Sequence, residues 1–142
     1  AGLKIRNCFV VHINNEYGLG VANVFKTEFS KQGGKVLITE TYKQGISDMR
    51  PQLIKIKKYN PEAIYLVGHA KENGHVVKQA RELNIKAQIL GTVGIEGPDL
   101  INIAGDSAEG LVYTAPAFDP DSHDPTVKAY QQEYMKKFGK KS

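Results

Sequence analysis

The strongest constraint on this chain is its regular alternation of short apolar, β-branched runs with amphipathic stretches long enough to be helical crossovers. Residues 8–13 (CFVVHI) predict a strand, closed by the turn formers Asn14 and Asn15. Val21, Val24, Phe25 and Phe29 then recur at three- and four-residue spacing opposite Lys26, Glu28 and Lys31, which predicts a helix stopped by Gly33 and Gly34. A second strand is expected over 35–42. A helix capped by Ser47 or Asp48, with Pro51 in its first turn, should run to Tyr59. Residues 62–67 predict a third strand and 71–83 a helix with Val76, Val77, Ala80 and Leu83 inward. A short strand over 87–90, a helix from Pro98 to Ala104, a strand over 110–114 and a helix from Pro125 to Phe138 complete the series.

Strands joined by crossovers of this length must run parallel, and right-handed crossovers place helices on both faces of the sheet. The expected fold is therefore a single α/β domain spanning residues 1–142, a three-layer, doubly wound parallel sheet of five strands. At 142 residues such a domain can bury a real core, and 41% hydrophobic with 24% charged residues is ordinary for a globular chain. Nineteen basic against fifteen acidic residues leave a net charge of +4, interleaved everywhere except the lysine-rich tail at 136–141. That tail reads as a solvated helix end rather than a nucleic-acid footprint. No apolar run approaches the ~18 residues of a membrane span. The single Cys8 excludes an internal disulfide and a CxxC metal knuckle.

Ligands of doubly wound sheets sit outside the carboxyl ends of the strands, at the point where strand order reverses. This nominates the loops at residues 14–18, 42–47, 68–72, 91–97 and 115–124. The first carries Gly18-Leu19-Gly20, with Glu40 about twenty residues on, an imitation of a dinucleotide fingerprint. Its third glycine position holds Asn23, and four residues separate the strand from Gly18, so a nucleotide- or dinucleotide-binding enzyme domain stands as the alternative reading. No phosphate-cradling GxxxxGK[ST] is present. Cys8 lies mid-strand, as a small buried hydrophobe would. His12 shares its strand face, where a core or sheet-edge histidine is expected. His69 and His75 are six apart, which is not a helical zinc pair. Asp119, Asp121 and Asp124 around His123 lack the glycine and terminal glutamate of an EF-hand, and capping of the last helix is the expected role. These residues nominate no metal site, no cofactor and no base–nucleophile pair, so a non-enzymatic role is expected.

The loops taken together resemble a known family. INNEYGLG at 13–20, FSKQGGKV at 29–36, GISD at 45–48, IKIKKYNPEAIYLVG at 54–68 and KQAREL at 78–83 are similar to the leucine/isoleucine/valine-binding proteins. ILG at 89–91, AGDSAEG at 104–110 and FDP at 118–120 continue the likeness over nearly the whole chain. These are type I periplasmic receptors of amino-acid ABC transporters, two α/β lobes joined by hinge crossings with solute trapped between them. The resemblance implies that residues 1–142 are the second lobe only, cut at the hinge and carrying half a binding site. The solute would be a branched-chain or other amino acid, or a related small organic or aromatic acid. The implied partners are the first lobe and the membrane permease of the importer, with no nucleic acid, and a homodimer through the cut face is a further expectation. The expected location is the periplasm, reached by a signal peptide that these residues do not include.

Carried over by position, the family's solute contacts fall on Tyr17 after the first strand and on His69 and Ala70 after the third. The acidic residue that meets the solute's ammonium in the family falls on Val93. Glu96 stands three residues further and is the expected substitute; without it the resemblance implies a solute lacking an α-ammonium. Phe118, after the fifth strand, is the expected wall.

Overall fold

The computed structural model describes residues 3–116 and 119–141. Five strands, β1 (Asn7–Ile13), β2 (Lys35–Tyr42), β3 (Ala63–Val67), β4 (Gln88–Gly91) and β5 (Val112–Tyr113), form one sheet in the order β2-β1-β3-β4-β5, every pair parallel. The helices are α1 (Glu16–Lys31), α2 (Arg50–Tyr59), α3 (Ala70–Glu82), α4 (Pro98–Ala104) and α5 (Pro125–Phe138). The chain leaves β1 in one direction and β3 in the other, so the strand order reverses between them, and β1 is buried along nearly its whole length.

The period-two alternation of β1 explains the layers. Phe9, Val11 and Ile13 face a core shared with Leu53 and Ile56 of α2, Val76, Val77 and Ala80 of α3, and Leu100 and Ala104 of α4. Cys8 and Val10 face the opposite side, against Ala22, Phe25 and Phe29 of α1. The expected three-layer, doubly wound α/β sheet is the observed one.

Several local expectations are corrected. On α1 the inward stripe is the buried Gly18 and Ala22 with the partly buried Phe25 and Phe29, while Val24 is 65% exposed. Steps of four, three and four keep that stripe on one face, whereas Val24 is turned about 100° away from Phe25. The N-cap of α2 is the fully buried Met49, not Ser47 or Asp48. Its amide donates to Gln79 Oε1 at 2.8 Å, and Asp48 Oδ1 accepts from the Arg50 amide at 3.2 Å. A tertiary partner on α3 thus replaces the local cap. β5 is two residues rather than five, because Gly110 is occupied in a turn with φ +78°, although the Thr114 amide adds one further ladder bond to Gly91 O at 3.1 Å. Short 3₁₀ turns at Val93–Ile95 and Gly105–Ala108 lie outside the elements that the periodicity predicts.

Asp124 caps α5 as expected, accepting from the Thr126 amide at 2.7 Å and the Val127 amide at 3.4 Å. These bonds favour the carboxylate and hold Asp124 below its ordinary range. No described residue of α5 is buried, and its rings form a ladder, Tyr130–Tyr134 at 5.9 Å and Tyr134–Phe138 at 4.6 Å.

Candidate functional site

The reversal of strand order brings the β1–α1 and β3–α3 loops side by side at the carboxyl edge of the sheet, with the loop after β4 next to them. Asn15 opens the first loop in extended backbone and caps α1, its side chain accepting from the Gly18 amide at 2.8 Å. The cap places Tyr17 in the first turn of α1. Gly18 can follow only because it has no side chain: a Cβ there would overlap the Ile13 carbonyl oxygen and lie 2.9 Å from Ile13 Cγ2. The helix start is thereby pressed onto the end of β1.

In the second loop Val67 ends β3, Gly68 turns with φ +151°, and His69 is the N-cap residue of α3 without a side-chain capping bond. The Tyr17 and His69 rings lie parallel within 10°, their centroids 6.4 Å apart. Tyr17 Oη reaches on to Thr92 Oγ1 at 3.4 Å, beyond the end of β4. A Cβ on Gly94 would stand 2.5 Å from the Gly68 carbonyl oxygen and 2.8 Å from Tyr17 Oη. Three loops therefore meet at the two rings. Tyr17 is 42% exposed and His69 is exposed, so the pair offers open aromatic surface to a ligand.

Beneath the rings the polar groups are buried. Tyr42, at the end of β2, is 2% exposed, and its Oη donates to Val67 O at 3.3 Å and accepts from Asn73 Nδ2 at 3.2 Å. Burial, and then the nearby Glu72 carboxylate, push the Tyr42 phenol well above the usual tyrosine range, so it stays a neutral donor. Glu72 is itself buried, and its Oε1 accepts from the Gly45 amide at 2.8 Å, tying down the loop after β2.

Of the residues nominated from sequence, Tyr17 and His69 are brought together, and Ala70 follows half-buried at the start of α3, its Cβ 3.3 Å from where a side chain on Gly97 would begin. Val93 opens the 3₁₀ turn after β4, 45% exposed, next in sequence to Thr92 and Gly94. Glu96 is exposed and lines a different depression, a groove of about 160 Å³ between Leu100 of α4 and Tyr113 of β5. Phe118 lies outside the described residues. Sequence reasoning assigned no role to Tyr42, Thr92 and Gly94, though all three lie in nominated loops, and it missed Asn73. Asn73 carried a readable signal, since it extends the inward spacing of Val76, Val77 and Ala80 by one turn.

The dinucleotide-like features have other partners here. The Gly18 amide is already engaged by Asn15, and Glu40 Oε1 pairs with Lys55 Nζ at 3.0 Å. Gly20 has nothing within 4 Å of where a Cβ would stand, so no close approach requires a glycine there. His12 is buried with Nδ1 donating to the Ile13 carbonyl at 2.9 Å, the interior histidine expected.

Comparison with known proteins places the fold in a family. The Leu/Ile/Val-binding protein of Citrobacter freundii is 32% identical over 114 residues, 80% of this chain and 31% of that protein. The leucine-, isoleucine-, valine-, threonine-, and alanine-binding protein of Pseudomonas aeruginosa is 31% identical over 119 residues, 83% of this chain and 32% of its own length. The crystal structure of a leucine binding protein from Thermotoga maritima superposes with a TM-score of 0.82 at 30% identity, over 96% of this chain and 39% of that one. The chain thus spans about a third of the length of the curated relatives it matches. With the sequence model for periplasmic binding proteins matching all of residues 1–142, this chain belongs to the periplasmic binding protein family.

Proposed function

We propose that this chain is one lobe of a two-lobed solute receptor, working in the periplasm as the substrate-binding component of an ABC importer. The solute, a branched-chain or other amino acid or a related small organic or aromatic acid, is held between this lobe and the first lobe. Tyr17, His69, Ala70 and Val93 face it. Closure of the lobes around the solute is the signal that the membrane permease reads. The observation that carries this reading is the meeting of Tyr17 and His69, from loops on either side of the strand-order reversal, as parallel rings 6.4 Å apart at the open edge of the sheet. The names of the relatives, binding proteins for leucine, isoleucine and valine and in one case also threonine and alanine, support the amino-acid part of this solute class.

Val93 is apolar and exposed, so the position to which the family resemblance assigns a carboxylate holds none, and Glu96 lines a separate groove. An α-ammonium desolvated there would cost several kcal/mol unless the other lobe paired it. This favours a solute anchored from this side by its apolar or planar part. A homodimer of the isolated lobe through its cut face is a further element of this reading, and sedimentation equilibrium showing monomer only would remove it.

An amide-resolved NMR titration with millimolar leucine, phenylalanine, benzoate and NAD tests the reading. Half a site should bind weakly: if the intact receptor binds near 1 μM, about −8 kcal/mol, half the contacts leave about −4 kcal/mol, or millimolar affinity. Shifts centred on Tyr17, His69 and Val93 with one of the acids are expected. Shifts at Gly18, Gly20 and Glu40 with NAD alone would replace this reading by the dinucleotide one, and micromolar binding of any amino acid would remove the half-site element.

A further inference from the structure

The buried polar groups beneath the ring pair converge on a single turn, Val67-Gly68-His69. Glycine at φ +151° has no side chain to restrict it, so the direction in which the next residue leaves is set from outside. Both carbonyls flanking Gly68 are held. Val67 O accepts from Tyr42 Oη at 3.3 Å, and His69 O accepts from Asn73 Nδ2 at 3.1 Å. The two holders are joined, since Asn73 Nδ2 also donates to Tyr42 Oη at 3.2 Å. The Gly68 carbonyl itself is covered by Gly94, and a Cβ on Gly68 would collide with the Tyr42 hydroxyl. His69 has no capping bond of its own, and its side chain projects from the clamped backbone to lie along Tyr17.

The chemistry of the clamp is directional rather than economical. His69 O can only accept, which fixes the amide orientation of Asn73 and leaves its Oδ1 buried with no hydrogen-bond partner among the described residues. A buried unpaired acceptor lowers stability, and an apolar pair could fill the same volume without it. Such an arrangement is worth keeping where a unique geometry matters more than stability.

We propose that Tyr42 and Asn73 are positioning residues of the solute site: they lock the 67–69 turn so that the His69 ring is held parallel to Tyr17, prepared for the solute before it arrives. The role rests on the reading of Tyr17 and His69 as the solute-facing pair, and it acts through His69 rather than by touching the solute. Preorganising a contact in this way removes an ordering cost from binding.

The test uses this chain without solute, so its outcome is separate from that of the titration above. The His69 ring protons, assigned by comparison with His69→Asn, are followed by NMR together with their cross-relaxation to the Tyr17 ring. In Tyr42→Phe, which removes one oxygen, the Tyr17–His69 cross-peak should fall at least twofold, and the His69 ring shifts should move toward those of a free histidine. Asn73→Ala should do the same and serves if Tyr42→Phe does not fold. Ile56→Val, a buried α2 change with no bond to the turn, should leave both signals where they are. Unchanged cross-peak and shifts in a folded Tyr42→Phe or Asn73→Ala overturn the proposal, as does an equal change in Ile56→Val, which would mark the signal as general loosening.

Discussion

The two glycines of Gly18-Leu19-Gly20 sit two residues apart on one helix, yet alanine at each should change stability in opposite directions. Both lie inside α1, so each alanine gains the same helix propensity, about 1 kcal/mol. At the exposed Gly20 nothing stands within 4 Å of the new Cβ, so Gly20→Ala should stabilise by close to that amount. At the buried Gly18 the Cβ meets the backbone oxygen of Ile13 and lies 3.0 Å from its carbonyl carbon, and a main-chain obstacle at the end of a strand paired through Ile13 and Tyr42 cannot rotate away. Overpacking of this kind costs up to about 3 kcal/mol, leaving Gly18→Ala about 2 kcal/mol less stable after the propensity gain. Subtracting one variant from the other cancels the propensity term and isolates a steric penalty of about 3 kcal/mol. Urea unfolding followed by far-UV circular dichroism reads the difference as a shift in midpoint at constant slope. In thermal melts it corresponds to a separation on the order of 10 °C for a chain of this size. Equal midpoints for the two variants, or a Gly18→Ala protein more stable than its parent, would refute the packing explanation of Gly18.

Other consequences follow from single bonds. Gln79→Ala removes the donor to Ser47 O at 2.7 Å and the acceptor of the Met49 amide at 2.8 Å, and should cost about 2–3 kcal/mol in the same urea assay while accelerating proteolysis in the loop before α2. Asn15→Ala removes the α1 cap and should cost about 1 kcal/mol, with faster amide exchange confined to the first turn that carries Tyr17. Burial pushes the Cys8 thiol up to about 12 from 9.0. The unfolded chain therefore loses the thiol proton first, and stability that is complete below pH 9 should decline as pH rises, at up to about 1.4 kcal/mol per pH unit. Between pH 9 and 10, before the tyrosines Tyr42 and Tyr65 (also raised by burial) contribute, Cys8→Ala should flatten that decline. A slope unchanged by the substitution would count against the buried-thiol account.

Much of the architecture was legible because it depends on local periodicity. The apolar runs at β1 and β3, the inward stripe Val76-Val77-Ala80 on α3, and the proline that opens each of α4 and α5 are patterns within a few residues of one another. Errors arose where a distant group intervened. Met49 is the N-cap of α2 because Gln79, thirty residues away, holds its amide, and no local capping pattern records that. Val24 was misplaced because hydrophobicity alone does not say which of two adjacent apolar residues faces the sheet; the small Gly18 and Ala22 mark the true face by allowing close approach.

The candidate site divides in the same way. Tyr17, His69, Ala70 and Val93 could be nominated from loop position and family resemblance, because a doubly wound sheet places its functional loops at the carboxyl ends of the strands. Their arrangement could not. That Tyr17 lies along His69 and reaches Thr92, and that Glu96 lines a groove beside α4, are results of strand order and of the 3₁₀ turn after β4. The alternation, the parallel sheet, the layers and the set of loops are written in the local pattern of residues, since periodicity, chirality and turn chemistry act over short stretches of chain. Which loops touch, which amides are capped from afar, and the meeting of Tyr42 and Asn73 beneath the Gly68 turn come from the assembled fold. Those facts join residues 25 to 75 positions apart, and such pairings follow from sheet order and packing, which no local pattern encodes.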